Sequence, residues 1–389
     1  MKAVNKYKLI RMTTVPISLE KLIEGQLRYM NSYYHVIGIS AEKENLDKLG
    51  KSQQIEVFHV EMTRKITPVK DFLAVVKLFL YLLKVKPFIV HSHTPKAGIV
   101  GMFAAKLAGV PHRLHTVAGL PLLEKRGFTR KVLNFVEKLT YSCATKVYPN
   151  SFGLRDIIRQ HHFCADSKLN VLANGSSNGI NTSWFDPAHF TDCENDLVKK
   201  NLGIRPNDFV FVFVGRLVKD KGINELIAAF ENLCGQFEDI RLLLVGDYES
   251  DLDPLSLLTL SHIQSNPAII TTGFQNDVRG YFAISNALIF PTYREGFPNV
   301  VLQAGAMGLP CIVTDINGCN EIINDGENGL IIPVKDEYAI FDSMLRLYSD
   351  KNLYISLQKQ ARPIIVERYE QQLVWDAILQ EYQNLKPHV

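Results

Sequence analysis

The side chains of this chain best suited by type and spacing to do chemistry are an acid, an amide, two cations and two histidines. Glu295 and Gln303 stand eight residues apart in ALIFPTYREGFPNVVLQAGAMGLPCIVT, residues 287–314. That stretch predicts a strand over Ala287–Phe290 and a polar turn at Arg294, Glu295 and Gly296. A helix should open at Pro298 and Asn299, where the missing proline N–H costs least, and Gly308 with Pro310 should stop it. The next buried strand is Cys311–Thr314. Glu295 is thereby predicted at the carboxyl edge of a parallel sheet, beside the free N–H groups of a helix start, where open α/β sheets bind ligands. A carboxylate does not bind a phosphate, but it accepts hydrogen bonds from hydroxyls such as those of a sugar. The plain alternative is a strand-to-helix turn with a solvated glutamate.

The second constellation follows the apolar run DFVFVFV, residues 208–214. Gly215 and Arg216 end this strand, and Lys221-Gly222 leads into a helix over Ile223–Phe230. Two fixed cations beside helix N–H groups suit a nucleotide diphosphate.

EGFPNVVLQAGAMGLP, with VGRLVKDKG at 214–222, DGENGLIIP at 325–333 and HTPKAG at 93–98, resembles the retaining glycosyltransferases of family 4, with the GT-B fold. The resemblance covers nearly the whole chain. It implies two doubly wound, Rossmann-like α/β domains facing across a cleft. It also implies that Arg216 and Lys221 contact the donor diphosphate, aided by the helix start at Phe297, Pro298 and Asn299. Glu295 would contact the transferred sugar, and the loop at Gly273-Phe274 would lie near the base. Gly215 and Gly296 complete the donor set. In relatives the second acid accepts the ribose hydroxyls. Here Gln303 keeps an amide acceptor without the charge, which predicts weaker ribose binding.

The first half departs further from the pattern. Relatives carry a glycine pair in the first strand-to-helix loop. This chain has Thr13, Thr14, Val15 and Pro16 there, and the loop is assigned to the acceptor side. Relatives also place a catalytic histidine before the glycine at 119, where this chain has Ala118. His115 lies three residues earlier, and strand alternation points positions 115 and 118 to opposite faces. His93, Lys96 and Thr14 are the acceptor-side candidates, and His115 is the catalytic candidate of this half. No carboxylate or cysteine accompanies the histidines at ligand spacing, so no metal site is expected.

At 389 residues two domains are the prior. The boundaries are set at 1–188, 189–368 and a final helix, 369–389, crossing back to the first domain. Six cysteines without a CxxC pair read as reduced thiols of a cytoplasmic protein. The N-terminus lacks the apolar core of a signal peptide, and the longest apolar run is too short to span a bilayer. Residues 1–190 carry 27 Lys and Arg against 13 Asp and Glu, a net +14; residues 191–389 carry 16 against 27, a net −11. A basic half faces something anionic. No basic-aromatic repeat or recognition helix points to nucleic acid, which leaves an anionic membrane. The predicted helix Val69–Val85 sets Lys70, Lys77 and Lys84 on one face. A second basic helix is predicted from Glu124 to Lys146, with Lys125, Arg126, Arg130, Lys131 and Lys138. Either could rest on lipid headgroups or simply cover a sheet.

The first-half motifs TTVPISL, HTPKAG and HTVAGLP resemble enzymes that build bacterial surface polysaccharides on polyprenyl-diphosphate carriers. The resemblance implies a metal-independent hexosyltransferase without a cofactor, taking a UDP-hexose or UDP-N-acetylhexosamine to a polyprenyl-diphosphate-linked acceptor at the inner face of a bacterial membrane. A GDP-mannose donor, a soluble acceptor, or a non-catalytic nucleotide-sugar-binding protein are the alternatives.

Overall fold

The computed structural model describes residues 6–63, 67–120, 122, 127–249 and 253–385. The chain divides into two units, residues 1–178 with 372–389, and residues 179–371. The first unit thus ends ten residues before position 188, because the backbone of Ile180 already pairs with Tyr369 and Gln371 of the second unit's own chain. The terminal segment joins the first unit from residue 372.

The first unit holds a parallel sheet of β1 (Lys8–Met12), β2 (His35–Ser40), β3 (Glu56–His59), β4 (Ile89–Ser92), β5 (His112–Val117) and β6 (Lys146–Pro149), in the order β3-β2-β1-β4-β5-β6. The second holds β7 (Phe209–Val214), β8 (Ile240–Val245), β9 (Ile269–Thr271), β10 (Ala287–Phe290), β11 (Cys311–Thr314) and β12 (Gly329–Ile332), in the order β12-β11-β10-β7-β8-β9. Both are doubly wound α/β sheets of the GT-B type. Strand order reverses between β1 and β4 in one and between β7 and β10 in the other, the positions where such sheets open a crevice for ligands.

Strand alternation sorts the first sheet's side chains. Leu9, Ile89 and Leu114 lie on the face covered by helix Gln371–Gln383, through Val374, Ile378 and Tyr382. Ile10, Met12, Val90 and Val147 lie on the other, under helices Pro95–Leu107 and Gly127–Cys143. In β7, FVFVFV is buried on both faces, as a central parallel strand requires.

Residues 16–31 form two helices, Pro16–Leu22 and Gln26–Asn31. They break at Gly25, whose φ of 74° is left-handed and which lies against the Trp375 indole. The expected helix from Glu124 is described from Gly127 to Cys143, and residues 124–126 lie outside the described part. Helix Phe152–Gln160 is capped by Ser151, which accepts from the Leu154 N–H.

Candidate functional site

Two loops at the carboxyl edge of the second sheet meet. After β7 the chain makes one tight turn at Lys219–Lys221 and enters helix Ile223–Cys234 through Gly222. Gly222 has φ 70°, and a Cβ there would lie 2.1 Å from the carbonyl oxygen of Pro291. Only glycine allows this loop to touch the loop after β10. The contact brings Lys221 Nζ onto Glu295 Oε1 as an ion pair, with side chains 14% and 19% exposed. The ammonium also lies 5.7 Å from the Phe290 ring centre.

The Glu295 loop is held from both sides. Asp220 accepts the Tyr293 N–H on its carbonyl at 2.9 Å and the Arg294 guanidinium on its carboxylate at 2.9 Å. Asn317 donates from Nδ2 to the Glu295 carbonyl at 2.5 Å and reaches that of Gly296 at 3.3 Å. Thr314 donates to the Thr292 carbonyl at 2.5 Å. Tyr293 donates to Glu225 at 2.7 Å, and its hydroxyl is pushed well above the ordinary range by burial first and by that carboxylate second. Cys319 is buried beside the pair. Burial raises its thiol, Glu295 adds to the rise, and Lys221 opposes it.

Arg216 does not turn toward Lys221. It pairs with Glu249 at 2.6 Å and is half-exposed. The two cations share one loop but are held by carboxylates from different strands' loops. Gly215 follows β7 and Gly246 follows β8, and a Cβ at Gly246 would lie 1.9 Å from the Gly215 carbonyl oxygen, so these two loops pack backbone to backbone. Phe274 is exposed beyond Gly273, and its N–H donates to Asp247 Oδ1 at 2.9 Å. The helix Asn299–Ala306 has Pro298 at its cap position and no side chain capping its N–H groups. Gly296 lies half-buried in the loop, and Phe297 is buried against Tyr369. Gln303 lies on this helix, half-buried, with no side-chain hydrogen bond among the described residues. Glu295 precedes the helix by a loop, so helical stacking does not relate it to Gln303; the loop's tethers place it.

The first sheet separates its candidates. His115 is sealed on the face under helix Pro95–Leu107, with Nδ1 at 2.8 Å from Ser92 Oγ, and burial lowers it to about 4. It reaches no open surface and drops out as a catalytic group. His91 and His93 lie on the opposite face. His91 bonds Tyr382 at 2.5 Å and Thr116 at 2.8 Å. His93 accepts from Arg11 Nε at 2.9 Å. Burial holds both histidines well below the ordinary imidazole value. Lys96 pairs with Asp71 at 2.5 Å and is largely covered. Thr14 bonds Thr94 through its N–H at 2.9 Å and its hydroxyl at 2.8 Å. Among the described residues no group of three metal-ligating side chains occurs.

Known families match both halves of the chain. The family described as glycosyl transferases group 1 matches residues 194–363, and the glycosyl transferase 4-like domain matches residues 41–175. The chain is 32% identical over 381 residues to the capsular polysaccharide biosynthesis glycosyltransferase CapM of Staphylococcus aureus, covering 96% of each. It belongs to the group 1 glycosyltransferases.

Another member of similar sequence is the UDP-Gal:alpha-D-GlcNAc-diphosphoundecaprenol alpha-1,3-galactosyltransferase of Escherichia coli. It is 30% identical over 311 residues, covering 79% of this chain and 78% of that protein. The Anabaena protein HepE, solved in complex with UDP, shares the fold. Its TM-score is 0.81 at 18% identity, covering 98% of this chain and all of that one. In this glycosyltransferase, sequence reasoning found Lys221 and Glu295 but missed Asp220 and Asn317, which hold the loops, and Arg11 and Gln26 in the first unit. Arg11 lies inside the otherwise apolar part of β1, where a lone arginine is the signal that could have found it.

Proposed function

We propose that the chain transfers a hexose or N-acetylhexosamine from a UDP-sugar, with retention and without a metal. The acceptor is a polyprenyl-diphosphate-linked saccharide of bacterial surface-polysaccharide synthesis. The observation that carries this reading is the Lys221–Glu295 pair beside an uncapped helix start. A diphosphate arriving there offers Lys221 a better-matched anion and frees Glu295 to accept sugar hydroxyls. Arg216, released from Glu249, adds a second cation as charge builds on the leaving diphosphate. The leaving phosphate takes the acceptor proton in a front-face attack. Gln303 receives the ribose. UDP in the HepE complex and the diphosphoundecaprenol acceptor of the Escherichia coli relative support the choice of both substrates.

The same reading places the protein against an anionic membrane. Helix Pro68–Val85 buries only a narrow face, Ala74, Leu78 and Leu82. Outward it shows Phe72, Leu73, Leu80 and Leu83 beside Lys70, Lys77 and Lys84, and helix Gly127–Cys143 shows Phe128 and Phe135. Apolar anchors among lysines suit a headgroup layer. No helix among the described residues is long and apolar enough to cross a membrane.

Calorimetry with UDP, GDP, ADP and dTDP, with and without Mg²⁺, tests the donor. UDP-selective, metal-independent binding is expected. A GDP preference moves the reading to a mannosyl donor, and no nucleotide binding overturns it. A transfer assay from UDP-sugars to a short prenyl-diphosphate saccharide tests the acceptor, and NMR of the product's anomeric proton tests retention.

A further inference from the structure

The first unit has an opening at the amino edge of its sheet, the edge opposite the loops that carry Thr14 and Lys96. Strands β1, β4 and β5 begin there side by side, with Leu9, Ile89 and His112 in register. A cavity of about 570 Å³ lies at these strand starts, within the range of sites that take small ligands. One wall is the last turn of helix Pro68–Val85, with Leu82, Leu83 and Val85; another is the turn 108–111 after helix Pro95–Leu107. Tyr7 and Phe88, stacked with ring centres 4.4 Å apart, line it as well. So do Lys6, Lys8 and Lys86, and among the described residues no Asp or Glu does. Lys6 turns its ammonium to the Asn31 carbonyl at 2.8 Å, which leaves Lys8 and Lys86 as the cations of the cavity. Lys8 Nζ donates to the Val85 carbonyl at 3.1 Å, a neutral partner that does not cancel its charge. Lys86 is exposed at the helix's C-cap. Lysines at a helix C-terminus offset its dipole, but that role needs no cavity and leaves Tyr7 and Leu83 exposed at the rim.

We propose that this cavity binds the glycerophosphate and upper acyl chain of one anionic phospholipid. Two cations beside apolar walls, with no carboxylate among them, match a ligand that is anionic at one end and hydrocarbon at the other. Its position selects a membrane lipid over a soluble phosphate. The first turn of helix Pro68–Val85 pairs Asp71 with Lys96, just beyond the carboxyl end of β4, and its last turn reaches the cavity at the amino end. Its 18 residues run about 27 Å, so a bilayer lying along its exposed face reaches both edges of the sheet. Leu83 joins the two features, since it is exposed with Leu80 and also lines the cavity. The inference rests on the reading of that face as membrane-docking, and gives it a discrete site for one lipid.

The test is a calorimetric titration of the full chain with dihexanoylphosphatidylglycerol, kept below its micelle-forming concentration. One equivalent is expected to bind, more tightly than inorganic phosphate or dihexanoylphosphatidylcholine. Lys8→Gln combined with Lys86→Gln should weaken it by at least about tenfold, the worth of one charged hydrogen bond. Ala108→Trp, which fills the cavity, should abolish it, and both variants should keep the UDP affinity of the unaltered chain. In that chain the Leu83 methyl resonances should shift on lipid addition, a readout that stands even if a variant does not fold. No bound equivalent, no Leu83 shift, or binding that both variants leave untouched overturns the proposal. Inorganic phosphate bound as tightly overturns the lipid as occupant, and phosphatidylcholine bound as tightly overturns the role of the lysines. Phe72→Ser with Leu80→Ser tests the docking face by itself. It should lower co-sedimentation with vesicles of phosphatidylglycerol and phosphatidylcholine and leave the soluble lipid bound. Vesicle binding by the unaltered chain without soluble-lipid binding defeats the cavity assignment alone. Soluble-lipid binding without vesicle binding defeats the docking reading and upholds the cavity as a lipid site.

Discussion

The carboxyl edges of the two sheets have the same topology and opposite electrostatics. At the second, three cations each hold a carboxylate: Lys221 with Glu295, Arg216 with Glu249, Arg294 with Asp220. At the first, Arg11 has only neutral partners, and the surrounding imidazoles are held neutral. Paired ions at a partly open edge can exchange partners when a charged ligand arrives. A sealed cation cannot, and its neighbours set its environment instead. One fold thus supplies a site built for exchange and a site built for a fixed charge.

The largest effect expected of this contrast is on transfer. Lys221→Ala should lower kcat/KM for the UDP-sugar by on the order of 10²-fold or more. Arg216→Ala should do the same while moving the unfolding free energy by no more than about 1 kcal/mol, since its pair is half-exposed. Unchanged turnover in either variant removes that cation from the mechanism.

The sealed edge should answer to pH. His91, His93 and His115 all titrate below the ordinary imidazole value in the folded chain, His115 at about 4. Above about pH 6.5 they are neutral both folded and unfolded and add no pH dependence. Below it the unfolded chain takes up protons that the folded chain refuses. Stability therefore falls as pH drops from 6.5 toward 4, by up to about 1.4 kcal/mol per pH unit for each histidine. Urea midpoints at pH 7.5, 6.5 and 5.5 check this, and His115→Gln should flatten the slope. Midpoints that hold steady down to pH 5 would refute it.

The joint between the two loops of the second edge can be broken without touching a charge. Gly222→Ala forces a Cβ onto the Pro291 carbonyl and should cost about 1–3 kcal/mol of stability by denaturant melt. It should also lower turnover by shifting Lys221 from Glu295. A melt and a rate like those of the unaltered chain would show that the loops do not depend on this contact. The smallest expected change is Gln303→Glu, which adds a charged acceptor for the ribose and should tighten UDP binding about 5- to 10-fold in calorimetry. Weaker binding would show that the amide is adapted to its site.

Much of this was legible along the chain. The strands Phe209–Val214, Ala287–Phe290 and Cys311–Thr314 follow from short apolar runs, because a strand buried on both faces needs an unbroken apolar sequence. Glu295 and Lys221 were legible because strand-to-loop-to-helix order fixes which end of the sheet a loop occupies. The direction in which a loop side chain turns was not. Arg216 and Lys221 are five residues apart, yet their partners come from loops after β8 and β10, far away in sequence.

The sequence by itself determined the fold class, which depends on periodicity and turn residues, and the family, through the resemblance of its motifs. Only the tertiary structure decided that His115 is sealed while His93 faces Arg11, and that Arg11 is left without a carboxylate. It also tied Glu295 to Asn317. Those outcomes rest on which distant elements cover each face of a sheet, and burial and pairing across such distances arise only once the chain has packed.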